Sequence, residues 1–178
     1  MAPPLRAPLS ALHPSALNSM LRRLFSLATL GLSLGACNPD TAVFVDADLS
    51  SAALVLEQSS LSTGVAGTFV LTLHLGPRAG GPSEVSLGAF SITDADRATT
   101  LVPSLGMTTD PSFPVTVDVD STIEVTASLA AADNLVEVSA IDALCAPGGV
   151  VIVGALDDSL AGGTLDVASA PVQPTGCP

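Results

Sequence analysis

The clearest pattern in the chain is an alternation of apolar and polar residues from position 115 to position 129. Every odd position in this stretch is apolar except Ser121, and every even position is polar. A period of two residues is typical of a β-strand with one buried face. One strand of this length would be longer than most strands, which have about 3–10 residues.

The alternation therefore predicts a hairpin rather than one strand. A three-residue loop at positions 120–122 would pair Val119 with Ile123 and Val117 with Val125, which keeps the apolar residues on one face. A single long bent strand is the alternative.

Other stretches of apolar or alternating residues predict further strands, at positions 41–45, 52–57, 67–75, 85–93, 99–102, 135–143, 150–156 and 164–169. In the third of these, Phe69, Leu71, Leu73 and Leu75 share one face and His74 lies on the other. The continuous apolar run 150–156 predicts a strand buried on both sides. No stretch after position 37 predicts an amphipathic helix.

About seven to ten short strands, with turn signals every 8–12 residues, predict an all-β fold, namely an antiparallel β-sandwich. The pattern resembles Ig-like domains in architecture only, since the chain has no Trp and no Tyr. We expect the four phenylalanines that follow position 37, Phe44, Phe69, Phe90 and Phe113, to lie in the core.

The N-terminal part of the chain has the pattern of an export signal. Arg22 and Arg23 precede an apolar run at positions 24–36, which is too short to span a bilayer. We interpret the two arginines as an ordinary basic start rather than a twin-arginine motif.

The run ends in Leu34-Gly35-Ala36-Cys37. These four residues resemble the lipobox of bacterial lipoproteins. The resemblance implies that Cys37 becomes the first mature residue and carries acyl chains such as palmitate. An ordinary cleaved signal peptide and a chance cysteine beside an apolar helix are the alternatives. The expected location is the bacterial cell envelope, on the periplasmic face of the outer membrane or on the cell surface.

The same reasoning divides the chain into three parts. Residues 1–36 form the signal peptide region, in which residues 1–19 are either an over-extended start or a long basic segment. Residues 37–51 comprise the lipidated cysteine and a tether, and residues 52–178 form the sandwich. Removal of 36 residues from 178 leaves 142, which is the usual size of one domain.

The excess of acidic over basic residues in the exported part limits the classes of partner that the protein can bind. All 17 acidic residues lie at Asp40 or later, where Arg78 and Arg97 are the only basic residues, so the formal charge of this part is −15. Such a surface repels phosphate backbones and anionic headgroups, so we expect no nucleic-acid partner. The expected attachment to the membrane is the lipid on Cys37.

If Cys37 is lipidated, Cys145 and Cys177 remain as a pair. Export brings them to an oxidising compartment, so we predict a disulfide between them; two free buried thiols are the alternative. Two cysteines and His74 have no spacing typical of a metal site, and we predict no metal and no cofactor.

The sequence predicts no catalytic residues. His74 is the single histidine after position 37, and no Gly-x-Ser-x-Gly motif occurs. Four acidic pairs are predicted to be solvated, with calcium as the alternative ligand: Asp46/Asp48, Asp94/Asp96, Asp118/Asp120 and Asp157/Asp158.

We therefore expect a lipid-anchored envelope protein that acts as a structural or binding module without catalysis and has an unidentified protein partner. The first alternative is a calcium-dependent adhesion-type module. The second is a hydrolase assembled from scattered Ser and Asp residues and His74.

Overall fold

The structure is a computed structural model that describes residues 40–178, and the predicted signal peptide and Cys37 lie outside these residues. The described residues form nine strands and one short helix, whose bounds are β1 Val45–Gln58, β2 Thr63–Leu75, β3 Ser83–Asp94, β4 Thr100–Val102, β5 Met107–Asp110, β6 Val115–Val117, β7 Ser121–Leu129, α1 Val138–Leu144, β8 Val150–Asp158 and β9 Gly163–Ala168.

The strands form two sheets. The first has the order β1-β2-β7-β5, and the second has the order β4-β3-β8-β9, with β6 also paired to β3. All of these strand pairs are antiparallel. The prediction of an antiparallel all-β sandwich is confirmed, and the number of strands falls in the predicted range.

The core lies between the inner faces of the two sheets. Phe69 of β2 stacks on Phe90 of β3 with their ring centroids 5.8 Å apart, so this contact joins the sheets near their centre. The predicted apolar face of β2 is completely buried, as expected from its alternation. The prediction was wrong for Phe44, which is 50% exposed just before β1, whereas Phe113 is partly buried and packs against the core.

The predicted hairpin at positions 115–129 is wrong. β6 pairs with β3 in the second sheet, whereas β7 lies between β2 and β5 in the first sheet. Residues 118–120 carry the chain across, with Asp120 at a φ of 59°. Both sheets face the same core, so both strands bury their odd positions, and the alternation alone does not tell which sheet each strand joins.

The predicted boundary between tether and domain at residue 52 is also too late, because β1 begins at Val45. The ladder between β1 and β2 shifts between Ser50 and Ala53, and Ser51 has a φ of 52°. This β-bulge inserts an extra residue and changes the phase of the alternation. Buried side chains therefore occupy odd positions before the bulge and even positions after it: Val45, Leu49, Leu54 and Leu56.

The strand predicted at positions 135–143 is replaced by α1. Leu144 is completely buried and Ile141 is partly buried, at the spacing of three residues that brings side chains to one side of a helix. Within residues 40–178, no helix is long and apolar enough to cross a membrane.

The strand predicted at 150–156 is confirmed as β8, although only its first three residues are buried on both faces. The strand predicted at 164–169 is β9.

The C-terminal tail connects the two sheets. Val172 and Val150 of β8 exchange two backbone hydrogen bonds of 2.8 Å. Further along, the N–H of Thr175 donates to the carbonyl of Leu54 at 3.0 Å, and its carbonyl accepts from the N–H of Leu56 at 2.8 Å. Residues 172–175 thus cover the outer edge of β1 in the first sheet while holding β8 of the second.

Candidate functional site

His74 lies on the outward face of β2, as its alternation predicts, and it joins three segments of the chain. Its Nε2 is 2.5 Å from Oδ2 of Asp40, and its Nδ1 is 3.0 Å from Oγ1 of Thr122. The side chains of His74 and Asp40 are 34% and 37% exposed. Asp40, His74 and Thr122 are called the His74 cluster below.

The distances within the His74 cluster determine which atoms donate and which accept hydrogen bonds in each protonation state of the ring. When the ring is neutral and Nε2–H donates to Asp40, Nδ1 accepts a hydrogen bond from the Thr122 hydroxyl. When the ring is protonated, both nitrogens donate and His74 forms an ion pair with Asp40. The backbone N–H of Ala42 and the His74 side chain both hold the pKa of Asp40 below its ordinary value.

The same geometry gives the cluster a structural role. Asp40 precedes β1, His74 lies in β2 and Thr122 lies in β7, so the hydrogen bonds attach the entering chain to two neighbouring strands. Asp40 also accepts a hydrogen bond of 3.0 Å from the N–H of Ala42, which fixes its own position.

A second polar group is buried where β1, β3 and β8 meet. Asp158 is 3% exposed and accepts hydrogen bonds from the hydroxyl of Ser83, from the N–H of Val45 at 3.0 Å and from the N–H of Leu160 at 2.9 Å. Burial alone would raise the pKa of Asp158, but these hydrogen bonds outweigh it and lower the pKa below the ordinary value of 3.8. The prediction that Asp158 is a solvated turn residue was wrong.

The other acidic pairs lie apart from one another. Asp46 and Asp48 project to the exposed face of β1, whereas Asp118 and Asp120 lie in the connection between β6 and β7 rather than on a strand. The carboxylate of Asp94 accepts a hydrogen bond of 2.7 Å from the N–H of Ala98, which shapes the β3–β4 turn. Hydrogen bonds from the backbone of Thr99 and then of Ala98 lower the pKa of Asp94.

Among residues 40–178, no three His, Cys, Asp or Glu side chains come close enough together to hold a metal ion.

A groove of about 630 Å³ opens between the sheets where β5 ends the first sheet. Three apolar side chains along it, Leu87, Met107 and Phe113, are partly buried and pack against the core. The remaining lining consists of hydroxyl side chains and a proline: Ser86, Thr108, Thr109, Ser112 and Pro114. This groove is called the β5 groove below.

Two smaller depressions lie on other surfaces. One, of about 360 Å³, lies over the outer face of β8 and β9 and brings Arg97 and Asp166 to its rim. The other, of about 340 Å³, is lined by Glu84, Asp157 and Asp158, and the last of these already has its hydrogen-bond donors.

Cys145 and Cys177 form the predicted disulfide, with their Cα atoms 5.8 Å apart. The bond joins the residue after α1 to the end of the tail. It therefore supports the same tail that pairs with β1 and β8.

Sequence reasoning missed Asp40 and Thr122 and assigned Asp158 to a solvated turn. Thr122 lies directly opposite His74 in the register of β7 and β2, but the sequence does not show which strands are neighbours. A signal for Asp158 is present: it lies two residues after the buried Leu156, on the inward face of the same strand.

Comparison with known proteins gave no match: no family model, no curated protein and no solved structure is similar enough to this chain to count as a relative.

Proposed function

We propose that this protein is a lipid-anchored β-sandwich of the bacterial cell envelope that acts as a structural or binding module without catalysis. The observation that carries the proposal is the sequence Leu34-Gly35-Ala36-Cys37 at the end of a basic and apolar leader. Cys37 would be the lipidated residue, and the partner would be a protein of the same envelope.

The proposed anchor would hold the fold close to the membrane, because few residues separate Cys37 from Asp40. Three peptide links separate Cys37 from Asp40, and a fully extended chain of that length spans at most about 11 Å. Because Asp40 is held by His74, the sandwich would stay close to the lipid surface. The acidic surface would not hold it there, since a formal charge of −15 is repelled by anionic headgroups.

The anchor is tested by labelling growing cells with a palmitate analogue and then separating membranes from soluble material. The wild-type protein should carry the label and sediment with membranes, because two or more acyl chains give stable anchoring. Cys37→Ser should lose the label and be found in the soluble fraction or as the uncleaved precursor, whereas Ser33→Ala, four residues earlier, should behave like the wild type. A Cys37→Ser protein that still sediments completely with membranes would show that the anchor is not this cysteine.

A second candidate function is hydrolysis, and the His74 cluster favours it. A hydroxyl, an imidazole and a carboxylate in hydrogen-bond contact are the parts of an activated nucleophile. The Thr122 hydroxyl would attack the carbonyl carbon of an ester and pass its proton to Nδ1 of His74, while Asp40 stabilised the resulting imidazolium. The imidazolium would give this proton to the departing alcohol, and water would then release the acyl group from Thr122.

This second candidate is tested by turnover of 4-nitrophenyl acetate by the wild type, His74→Ala and Thr122→Val. Hydrolysis by the cluster requires that both variants lose at least about 100-fold in rate, the usual contribution of a positioned base. Equal rates in all three proteins would leave the cluster with its structural role alone.

A further inference from the structure

We propose that the outer edge of β5, together with the β5 groove, binds an extended, positively charged segment of another protein, which adds a strand to the first sheet. The inference rests on the proposed role as a binding module and names its partner class. Strand addition of this kind draws affinity from main-chain hydrogen bonds and specificity from alternate side chains.

The outer edge of β5 has no strand beside it in the described part of the chain. β5 is the last strand of the first sheet and pairs on one side with β7. No other backbone hydrogen bond of the described residues involves positions 107–110. An edge of this kind presents free N–H and C=O groups to an incoming strand.

The register shows which amides face outward. Amides alternate between the two sides of a strand, and the alternation can be followed across the sheet from Leu56, whose N–H points outward to Thr175. According to this alternation, the N–H groups of Met107 and Thr109 point to the free edge of β5, and the N–H group of Thr108 points toward β7. Two outward N–H groups, with the carbonyls of the same residues, are available to a partner strand.

The groove beside this edge accommodates apolar side chains. Leu87 and Met107 lie on its two walls, from the second and the first sheet respectively, and Phe113 closes it near β6. Each of these three side chains is only partly buried. Every second side chain of an added strand would point into the groove and cover them.

On the opposite side of the sandwich, part of the outer edge of β1 is already occupied. Thr175 of the tail occupies the outer edge of β1, and β9 lies against β1. The tail therefore covers the outer edge of β1 at Leu54 and Leu56, whereas the β5 edge is open over four residues, or about 13 Å at the usual rise per residue.

Charge decides the kind of partner. A second copy of this chain would bring another formal charge of −15, and the two surfaces would repel each other. Asp110 is exposed at the end of β5 and would lie beside the end of an added strand. A segment with alternate apolar residues and flanking Lys or Arg residues complements both the groove and this charge.

The test uses the protein purified from whichever cell fraction carries it, so it does not depend on the anchor. The probe is the synthetic peptide Lys-Val-Thr-Val-Thr-Val-Lys, blocked at both ends, titrated at low salt. Binding should slow hydrogen exchange of the Met107 and Thr109 amides and leave that of the β9 amides unchanged. The same peptide with N-methylated valines lacks the donors for pairing and should bind at least tenfold more weakly.

Two variants complete the test. Thr109→Pro removes one outward N–H without removing a bond to β7 and should weaken binding at least tenfold; its thermal unfolding shows whether it is folded. Asp110→Asn, at an exposed position, should weaken binding two- to fivefold, and added salt should abolish this difference. No binding of the peptide, binding unaffected by Thr109→Pro in a folded protein, or protection confined to other strands would overturn the proposal.

Discussion

Two buried polar side chains, Asp158 and Asn134, form hydrogen bonds that hold the ends of neighbouring chain segments together. Asp158 connects β8 with the starts of β1 and β3. Asn134, which is 1% exposed, donates to the carbonyls of Gly106 and Ala130 and accepts from the N–H of Gly106 at 2.8 Å. Each of these side chains has its hydrogen-bond partners, so it adds specificity without leaving an orphaned polar group in the core.

Replacing Asp158 by Asn should destabilise the protein at neutral pH by about 2–3 kcal/mol, because one acceptor oxygen becomes an NH₂ group that faces hydrogen-bond donors. The folded-state pKa of Asp158 lies below its ordinary value of 3.8, so the wild-type advantage is complete above that pH. The advantage should disappear as the pH falls through the lower, folded-state pKa.

Urea unfolding at pH 7, 5 and 3 measures this difference in the free energy of unfolding. Asp157→Asn is the matched control, since Asp157 is exposed and accepts one hydrogen bond from Thr164. A wild-type advantage over Asp158→Asn that remains just as large at pH 3 as at pH 7 would contradict the assignment of the charged carboxylate as the stabilising form.

At the scale of single residues, the sequence allowed correct prediction of burial at most positions with regular alternation, although Val119 in the stretch 115–129 is 38% exposed. The face of β2 from Phe69 to Leu75 is the best example. The sequence did not allow prediction of the His74 cluster, because Asp40 lies 34 positions from His74 and Thr122 lies 48 positions from it. Such contacts are decided by strand order, which local patterns do not contain.

Among the elements, β6 shows why strand positions are easier to predict than strand partners. Val115 and Val117 are buried and Thr116 is exposed, as the alternation predicts. The strand nevertheless pairs with β3 rather than folding back on β7. Likewise, the apolar residues at 136, 138 and 140 have a period of two, but the spacing of Ile141 and Leu144 is helical and α1 forms.

Val117→Asp should abolish cooperative unfolding of the sandwich, because it buries an unpaired charge at a completely buried position. Thr116→Asp, one residue earlier on the exposed face, should lower the free energy of unfolding by no more than about 1 kcal/mol, since it adds a charge opposite the exposed Glu84. Thermal unfolding followed by far-ultraviolet circular dichroism compares the two. Equal stability of both variants would mean that β6 does not face the core.

At the scale of the whole molecule, the tail and the disulfide close one side of the sandwich. Cys145 and Cys177 are separated by 32 positions, and the loop between them contains β8 and β9. Constraining a loop of this length in the unfolded chain is worth roughly 3–4 kcal/mol by the chain-entropy argument. That is a large part of the 5–15 kcal/mol typical of a domain.

Changing both Cys145 and Cys177 to Ala should therefore lower the free energy of unfolding by about 3–4 kcal/mol. The hydrogen exchange of the Leu56 amide should also become faster, because this amide donates to Thr175 in the tail. Reduction of the wild-type protein is a second route to the same result. Unchanged stability together with unchanged exchange at Leu56 would show that the tail is held without the bond.

The direction of β1 has a mechanical consequence. The strand runs 14 residues from the entry of the chain near Asp40, with β2 along one edge and Thr175 bonded to the other. Consider a pulling force applied at the N-terminal end of β1 and resisted at the opposite end of the sandwich. This force acts along β1 and therefore at right angles to its interstrand hydrogen bonds. The bonds then share the load in shear and must break together, whereas peeling would break them one at a time. Loaded in this direction, β1 should therefore resist detachment more strongly than it would if it were peeled from its edge.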